Sequence, residues 1–577
     1  AIPTYLVGKR LGGRPGGLFG VLVLAMFPGT FLRRGLVGFA DHNIAEPLFQ
    51  AFAVLAMMVA LTVAEREKPV YELLADRDFE ALRRPFGYSI LAGIATAFYL
   101  WTWPPGVLLV GIFGAFFGLK LTADYVRGVS PDHLAFVGAI SMTVTGLLLL
   151  VPLGTFDFSP TKFSPLQPLL AFAVAFGCVF MAWLARQWEA RDLSTALYPA
   201  TVGGIIAAVV GVVYVALPSL YSLVSNNLVR IIGFSTGAKT RTIGEAQPFL
   251  SNTNSQYGIA WYDLIIQEYG LMLFTAVLAA VWMLWRTYRS DDHRAEYLLV
   301  LVWAAFITAA AFTQVRFNYY LAVPVAVLNA YLVGQVISVV KFPSFRNVGD
   351  INGTQVFAVL FVVLLVVPVL VMPANLGTAR YPDTRTAMES GGAAGPGDIT
   401  KWQGSLNWME NSTPAEGDYG NANNADQLDY YGTFDQQNSD YDYPEGAYGV
   451  MSWWDYGHWI TVEGERIPNA NPFQEGATTA ANYLLAQNES QANQVVETLG
   501  APNEETRFVM VDWKMASVYS NAGGKFFAPP TFKENVSRSD FYERVYRQSQ
   551  QGGLQHAFNL KSQNYYDSQL ARLYLYH

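Results

Sequence analysis

Eleven long apolar runs, nearly free of charge, constrain this chain more than any other feature. They fall at 17–31, 48–64, 87–101, 105–121, 134–152, 168–185, 199–217, 268–285, 297–315, 318–339 and 354–374. Each approaches the roughly 20 residues that cross a bilayer as a helix. With 52% of residues hydrophobic and 14% charged, the composition excludes an ordinary soluble protein. A twelfth element is expected at Ala1 to Val7. It opens the chain without an initiator Met or a signal-peptide pattern. The sequence is therefore expected to be a fragment lacking its true N-terminus.

Charge orders these spans. One set of loops carries Lys9, Arg10 and Arg14; Arg66, Lys68, Arg77, Arg83 and Arg84; Lys120 and Arg127; Arg186 and Arg191; Arg286, Arg289 and Arg294; and Lys341 and Arg346. The intervening loops have fewer. By the positive-inside rule the first set is cytoplasmic. Segments 32–47, 153–167 and 218–267, and everything beyond 374, are then expected outside.

A sharp change falls near residue 374. Residues 374–577 hold 25 Asp and Glu against 13 Lys and Arg, whereas the first 373 hold 20 against 24. The sequence thus predicts a multi-pass transmembrane domain over 1–373 and an acidic extracytoplasmic domain over 374–577, long enough for one globular unit. An acidic surface suits a high-salt exterior, and is equally a plain solvated face. Strand-like residues 507–511 and a helix-like stretch at 476–499 predict a mixed α/β fold. The Asp-, Asn-, Gly- and Tyr-rich stretch 416–447 reads as a mobile or inserted loop.

Several chemistries are excluded. The single cysteine, Cys178, lies in an apolar run and has no intrachain partner. No zinc-ligand spacing, Walker A motif or basic–aromatic patch is present, so neither a nucleotide-driven reaction nor nucleic-acid binding has a visible site.

Trp453-Trp454-Asp455-Tyr456-Gly457 stands out in the polar C-terminal half. Indole N–H groups only donate and a carboxylate only accepts. Together they can enclose a small hydroxyl such as a Thr or Ser side chain. The same residues could also be an aromatic core cluster with a turn aspartate. Three expected external segments carry charge. Asp41 and Asn43 stand two apart and can offer oxygens to one hard cation such as Mn²⁺ or Mg²⁺, with His42 and Glu46 nearby; Asp-x-Asn is also turn composition. Glu245 lies in the long loop 218–267. Arg316, between two apolar runs, can clamp a phosphate or snorkel to head groups. All fall on one membrane face, while the spans hold few ionisable groups. That favours a surface enzyme acting on a membrane-borne substrate over a transporter.

Trp453 to Gly457 matches the signature of the oligosaccharyltransferase catalytic subunit, and the chain resembles that family, in its archaeal branch, along its whole length. Thr242-Ile243-Gly244-Glu245 is similar to the family's external-loop motif. Arg34 and Asp41 are similar to its arginine and second acidic motif, and Arg316 to the arginine that contacts the donor's pyrophosphate. Asp512-Trp513-Lys514-Met515 resembles the archaeal Asp-x-x-Met form, with Tyr519 where Lys or Ile is usual. The resemblance implies a thirteen-helix GT-C type membrane fold and transfer of an oligosaccharide from a dolichyl-phosphate or pyrophosphate lipid to Asn in Asn-x-Ser/Thr sequons of exported polypeptides. It implies a single-subunit enzyme in the cell membrane.

The resemblance further implies catalytic roles for Asp41, Glu245 and Arg34, and a Mn²⁺ or Mg²⁺ ion on Asp41, Glu245 and Asn43. It implies donor-phosphate binding by Arg316, and sequon binding by Trp453, Trp454, Asp455, Asp512 and Met515. Asn43 stands where an acid or His is common. The family's first Asp-x-Asp motif precedes residue 1, so the fragment is expected to be inactive. Two other readings remain: a different polyprenyl-phosphate-sugar transferase, which needs no Trp-Trp-Asp pocket, and a membrane receptor or transporter, which needs no convergence of Asp41 with Glu245.

Overall fold

The computed structural model describes residues 1–36, 42–66, 72–73, 76–234, 242–249, 261–289, 294–340, 353, 355–357, 360–361, 386–392, 397, 399–427, 445–499, 506–519, 523–548 and 554–576. Their contacts divide the chain into two compact units. One holds Ala1–Thr236 and Glu245–Ala394, the other Gly237–Gly244 and Gly395–His577.

The first unit is helical. Lipid offers no hydrogen bonds, so a spanning backbone must satisfy its own polar groups within each segment. Among the described residues seven helical segments are long and apolar enough to cross a membrane: His42–Arg66, Pro104–Val126, Asp132–Leu149, Leu166–Ala190, Thr195–Ala216, Ala295–Thr313 and Val315–Ser338. The runs at 17–31, 87–101 and 268–285 are largely helical as well, within Ile2–Met26 (α1), Phe79–Thr102 and Met272–Arg289. These three helices carry charge along or beside their apolar stretch: Lys9, Arg10 and Arg14; Glu80, Arg83 and Arg84; Arg286 and Arg289. The run at 354–374 lies largely outside the described residues.

Two features depart from simple spans. Helix α1 is broken at Gly13, whose φ of 71° and ψ of −176° belong to backbone that side chains rarely adopt. Its halves pack back on each other, Gly17 lying against the backbone of Tyr5 and Lys9. The short element expected at residues 1–7 and the run at 17–31 thus form a hairpin around Lys9, Arg10 and Arg14. The second feature is a helix over Pro218–Ile232 (α2), inside the expected polar loop 218–267. Its leucines and valines recur at helical spacing among Ser and Asn, a pattern obscured by its polar composition.

Basic residues from different loops gather at one end of this unit. Arg10, Arg66 and Arg294 line one cavity with Thr62, Glu65 and Glu296. Arg10 Nε donates to Glu296 Oε1 at 2.6 Å, and Thr62 Oγ1 donates to the same oxygen at 2.7 Å.

The second unit is mixed α/β. Strand β1 (Gly449–Met451) lies between β2 (Ile467–Pro468) and β3 (Thr506–Val509), both parallel to it. A separate antiparallel ribbon pairs β4 (Tyr542–Gln548) with β5 (Leu554–Lys561). Helix α3 (Ile399–Ser412) buries Trp402, Leu406 and Met409, one face at helical spacing. The guanidinium of buried Arg466 accepts nothing and donates to the carbonyls of Met409, Glu410 and Thr413. Its charge therefore meets the negative end of α3. The stretch expected to be helical at 476–499 is two helices, Ala477–Leu484 and Glu489–Glu497. The second begins where the Asn488 side chain accepts from Gln491 N. Residues 428–444 of the expected 416–447 loop lie outside the described residues.

Candidate active site and peptide pocket

In the first unit, residues far apart in sequence meet around Arg34. Helix Thr30–Gly35 presents Arg34 in its last turn, and His42–Ile44 form a 3-10 turn. Arg34 Nη1 donates to Asn43 Oδ1 at 2.8 Å, and Nη2 donates to Glu245 Oε1, 211 residues away. The guanidinium also lies over the Tyr319 ring, 4.9 Å from its centroid. Arg34 is buried, whereas the Glu245 side chain is 60% exposed. A buried cation thus presents an exposed carboxylate.

A tyrosine pair supports this arrangement from within. Tyr319 and Tyr320 donate to the same oxygen of buried Glu46, at 2.6 and 2.5 Å. Tyr319 also donates to Asn43 Oδ1 at 3.1 Å. His42 Nε2 sits 2.9 Å from the other Glu46 oxygen. Asn43 Oδ1 therefore meets two donors, as many as its lone pairs. Its expected role as a metal ligand is at odds with this geometry, which makes it a brace for Arg34. Glu46 is likewise turned to the tyrosines and His42. Asp41 lies outside the described residues. No group of three His, Cys, Asp or Glu able to hold a metal occurs among the described residues.

Arg316 sits in a 3-10 turn, Val315–Phe317, between two spans. Its Nε is buried without a hydrogen-bond partner among the described residues, as are Gln314 Oε1 and both amide atoms of Asn318. Gln314 Nε2 donates to Arg230 O at the end of α2, 2.6 Å away. Four polar atoms left in this state within five residues are costly unless a polar ligand meets them.

In the second unit the Trp453–Gly457 segment follows β1 directly. A 3-10 turn, Trp454–Tyr456, leads into a helix, Gly457–Val462. A Cβ at Gly457 would strike Ala470 O, so this close approach needs glycine. Trp453 is 1% exposed and stands edge-on to Phe532 with centroids 5.5 Å apart. It is a core residue. Trp454 is 4% exposed, and its indole N–H is buried without a partner among the described residues. Asp455 is 25% exposed, and its Oδ2 accepts from Lys525 Nζ at 2.6 Å.

Asp512 is occupied on both oxygens. Oδ1 accepts from Met515 N at 2.8 Å, capping the short helix Trp513–Ala516. Oδ2 accepts from Trp402 Nε1 at 3.0 Å and Tyr456 OH at 3.1 Å. The Trp402 and Tyr456 rings stack at 4.3 Å. Asp512 thus ties α3 to the Trp-Trp-Asp segment, and Met515 is buried beneath. Thr242 lies in this same unit, 3.5 Å from Gln474 Nε2.

Sequence reasoning did not find Lys525, Trp402, Arg230, Tyr319 or Tyr320 as site residues. Only the aromatic pair beside Arg316 carried a local signal.

A polytopic helical unit of GT-C type joined to a mixed α/β unit makes this a multi-pass membrane protein of the class that the motifs suggested. Residues 1–374 match the family model described as oligosaccharyl transferase STT3, N-terminal, and residues 399–516 match the AglB core domain. The chain belongs to the STT3 oligosaccharyl transferase family. It is 51% identical to the Haloferax volcanii dolichyl-monophosphooligosaccharide–protein glycotransferase AglB, matching 100% of this chain and 60% of that protein. It is 27% identical to an Archaeoglobus fulgidus dolichyl-phosphooligosaccharide-protein glycotransferase, over 92% of this chain and 58% of the relative. The chain thus spans about three fifths of the length of these relatives. The fold is similar to an Archaeoglobus fulgidus AglB solved with an inhibitory peptide and a dolichol-phosphate: TM-score 0.79, 24% identity, 100% of this chain and 65% of the other. The same fold was solved with Zn and sulfate: TM-score 0.70, 24% identity, 99% and 63% covered.

Proposed function

We propose that this chain carries the catalytic part of an enzyme that transfers an oligosaccharide en bloc from a dolichyl-phosphate lipid to the side-chain amide of Asn in Asn-x-Ser/Thr sequons. The observation that carries the reading is the contact of Arg34 with Glu245. It brings together two motifs 211 residues apart, each singled out for this chemistry. The Haloferax relative's name specifies a monophosphate, and a single donor phosphate is adopted here. The second unit and the Arg34 face are placed outside the cell membrane. A cysteine introduced at Ser251 would then react with an impermeant thiol reagent applied to intact cells; labelling only after lysis would reverse the orientation.

An amide nitrogen is a poor nucleophile because its lone pair is delocalised into the carbonyl. Asp41 and Glu245, as carboxylates, accept hydrogen bonds from the acceptor amide and weaken that delocalisation. Arg34, fixed by Asn43 and the Tyr319 ring, positions Glu245 to do so. Arg316 offers its Nε, which has no partner among the described residues, to the donor phosphate. Trp454 and Asp455 hold the hydroxyl two residues beyond the acceptor, which fixes the Asn for attack.

A divalent cation fits carboxylate donors. Glu245 supplies one, and Asp41 would supply the second. Asn43, with its oxygen engaged twice, is left out of the ligand set. When bound, the ion supplies Lewis-acid stabilisation of the leaving phosphate. Mn²⁺ and Mg²⁺ are the proposed ions. The test is transfer by Asp41→Ala with either ion in excess: near-normal turnover would refute the assignment.

A further inference from the structure

We propose that Lys525 is the positioning residue of the peptide pocket: it holds one oxygen of Asp455 so that the other reads the sequon hydroxyl. The proposal rests on the sequon-binding reading of Trp454 and Asp455 and adds a residue outside the motifs.

Lys525 is anchored at both backbone ends. Its N–H donates to Lys514 O, within the short helix capped by Asp512, at 2.6 Å, and its carbonyl accepts from Ala528 N at 2.9 Å. From there the side chain crosses the Tyr456 ring, with Nζ 4.5 Å from the centroid, and reaches Asp455 Oδ2 at 2.6 Å. The ammonium is thus held by a ring face and a carboxylate at once, and the pair is only 28% and 25% exposed. Tyr456 is itself fixed through its hydroxyl to Asp512 and by stacking on Trp402. The chain of contacts runs from α3 through Tyr456 and Lys525 to Asp455.

A lone aspartate rotates about its last torsion and offers either oxygen to water. With Oδ2 claimed by Lys525, the carboxylate plane is set, and Oδ1 has no hydrogen-bond partner among the described residues. Next to Asp455 in sequence, the buried indole N–H of Trp454 has no acceptor among the described residues. One free acceptor and one orphaned donor are what a Thr or Ser hydroxyl needs, since it donates once and accepts. A carbonyl could use only the donor, and a methyl neither. Lys525 therefore converts a rotating carboxylate into one that discriminates hydroxyl from methyl. Its ring contact with Tyr456 explains why a cation belongs here.

The test is peptide affinity, measured on the full-length protein in lipid nanodiscs with labelled peptides. One carries Asn-x-Thr and the other Asn-x-Val, which is isosteric but lacks the hydroxyl. Lys525→Met keeps the stem over Tyr456 and removes the charge. The Thr peptide should bind about 10-fold more weakly, in line with the loss of one charge-assisted hydrogen-bond geometry. The Val peptide should change less than twofold, and kcat at saturating Thr peptide should hold. Lys525→Arg should recover most of the Thr affinity. Equal losses for both peptides, or no loss for either, would overturn the proposal. If Lys525→Met does not fold, Lys525→Gln, which also removes the charge, decides: a loss confined to the Thr peptide supports the role, and an unselective one or none refutes it. Asp455→Ala separates the two ideas. If it too leaves the Thr-over-Val preference intact, the pocket reading itself fails. If it abolishes the preference while Lys525→Met does not, only Lys525 is misassigned.

Discussion

The two candidate sites solve a similar problem in opposite ways. In the helical unit a buried arginine supports an exposed glutamate; in the α/β unit a partly exposed lysine supports a partly exposed aspartate. Arg34 is held by an asparagine oxygen, a tyrosine ring and a carboxylate together, and beneath it buried Tyr319, Tyr320 and Glu46 form a polar cluster that the exposed His42 joins from outside. Such a site is rigid, because each group left unpaired would cost its desolvation. Lys525 has one ring and one carboxylate, on a flexible stem. The contrast matches the two tasks proposed for these sites. Bond-making chemistry needs fixed charges, whereas a peptide pocket must admit and release many different chains.

The largest effect is expected at the rigid site. Glu245→Gln keeps the size and loses the charge, so kcat should fall by about 100-fold or more, as when one preorganised charge is lost from an active centre. Arg34→Met should do the same without changing peptide affinity. If Arg34→Met instead weakens peptide binding and leaves kcat alone, the division of labour between the two sites is wrong.

At the flexible site the effect is smaller and lies in affinity. Asp455→Ala should weaken Asn-x-Thr peptide binding by roughly 10- to 150-fold, the worth of a hydrogen bond involving charge, about 1.5–3 kcal/mol. Peptides without the hydroxyl should lose little. Isothermal titration with both peptides checks this; matching losses would mean that Asp455 supports the fold.

The smallest functional effect belongs to Glu416, which separates stability from chemistry within the α/β unit. Burial pushes its carboxyl up from 4.5 to about 7, against the pull of the Tyr448 and Ile467 N–H groups and Arg466. A raised value means that the folded state favours the protonated form. Its stabilising contribution is complete below about pH 4.5 and is lost as pH rises through about 7. At most about 3 kcal/mol is involved. Melting of the protein between pH 4.5 and 8 should show this slope in the unit's transition, and Glu416→Gln should flatten it. A wild-type unit equally stable across that range would show that the two N–H bonds offset burial.

The sequence made the spans legible because lipid imposes length and apolarity on each segment separately. The helix Pro218–Ile232 escaped notice because its Ser and Asn residues read as loop. The stretch 476–499 is helix-like in sequence, but the break within it is hidden because Asn488, which caps the second helix, looks like any polar helix residue. At the sites the motif residues were visible and their partners were not. Lys525 lies 70 residues from Asp455, and Tyr320 lies 274 from Glu46. Such pairings come from packing, and no local pattern marks them. Nor does the sequence show that Arg34 and Tyr319 both donate to the Asn43 oxygen, a pairing that only the fold brings about.

The most direct test is transfer in vitro by the full-length protein, with a dolichyl-phosphate-linked glycan as donor and two peptides, Asn-x-Thr and Gln-x-Thr. Glycan is expected on the Asn of the first peptide alone. Glu245→Gln should remove nearly all of this product while the Asn-x-Thr peptide still binds. Transfer to the Gln peptide, or undiminished transfer by Glu245→Gln, would contradict the assignment of this chain to sequon glycosylation through the Arg34–Glu245 site.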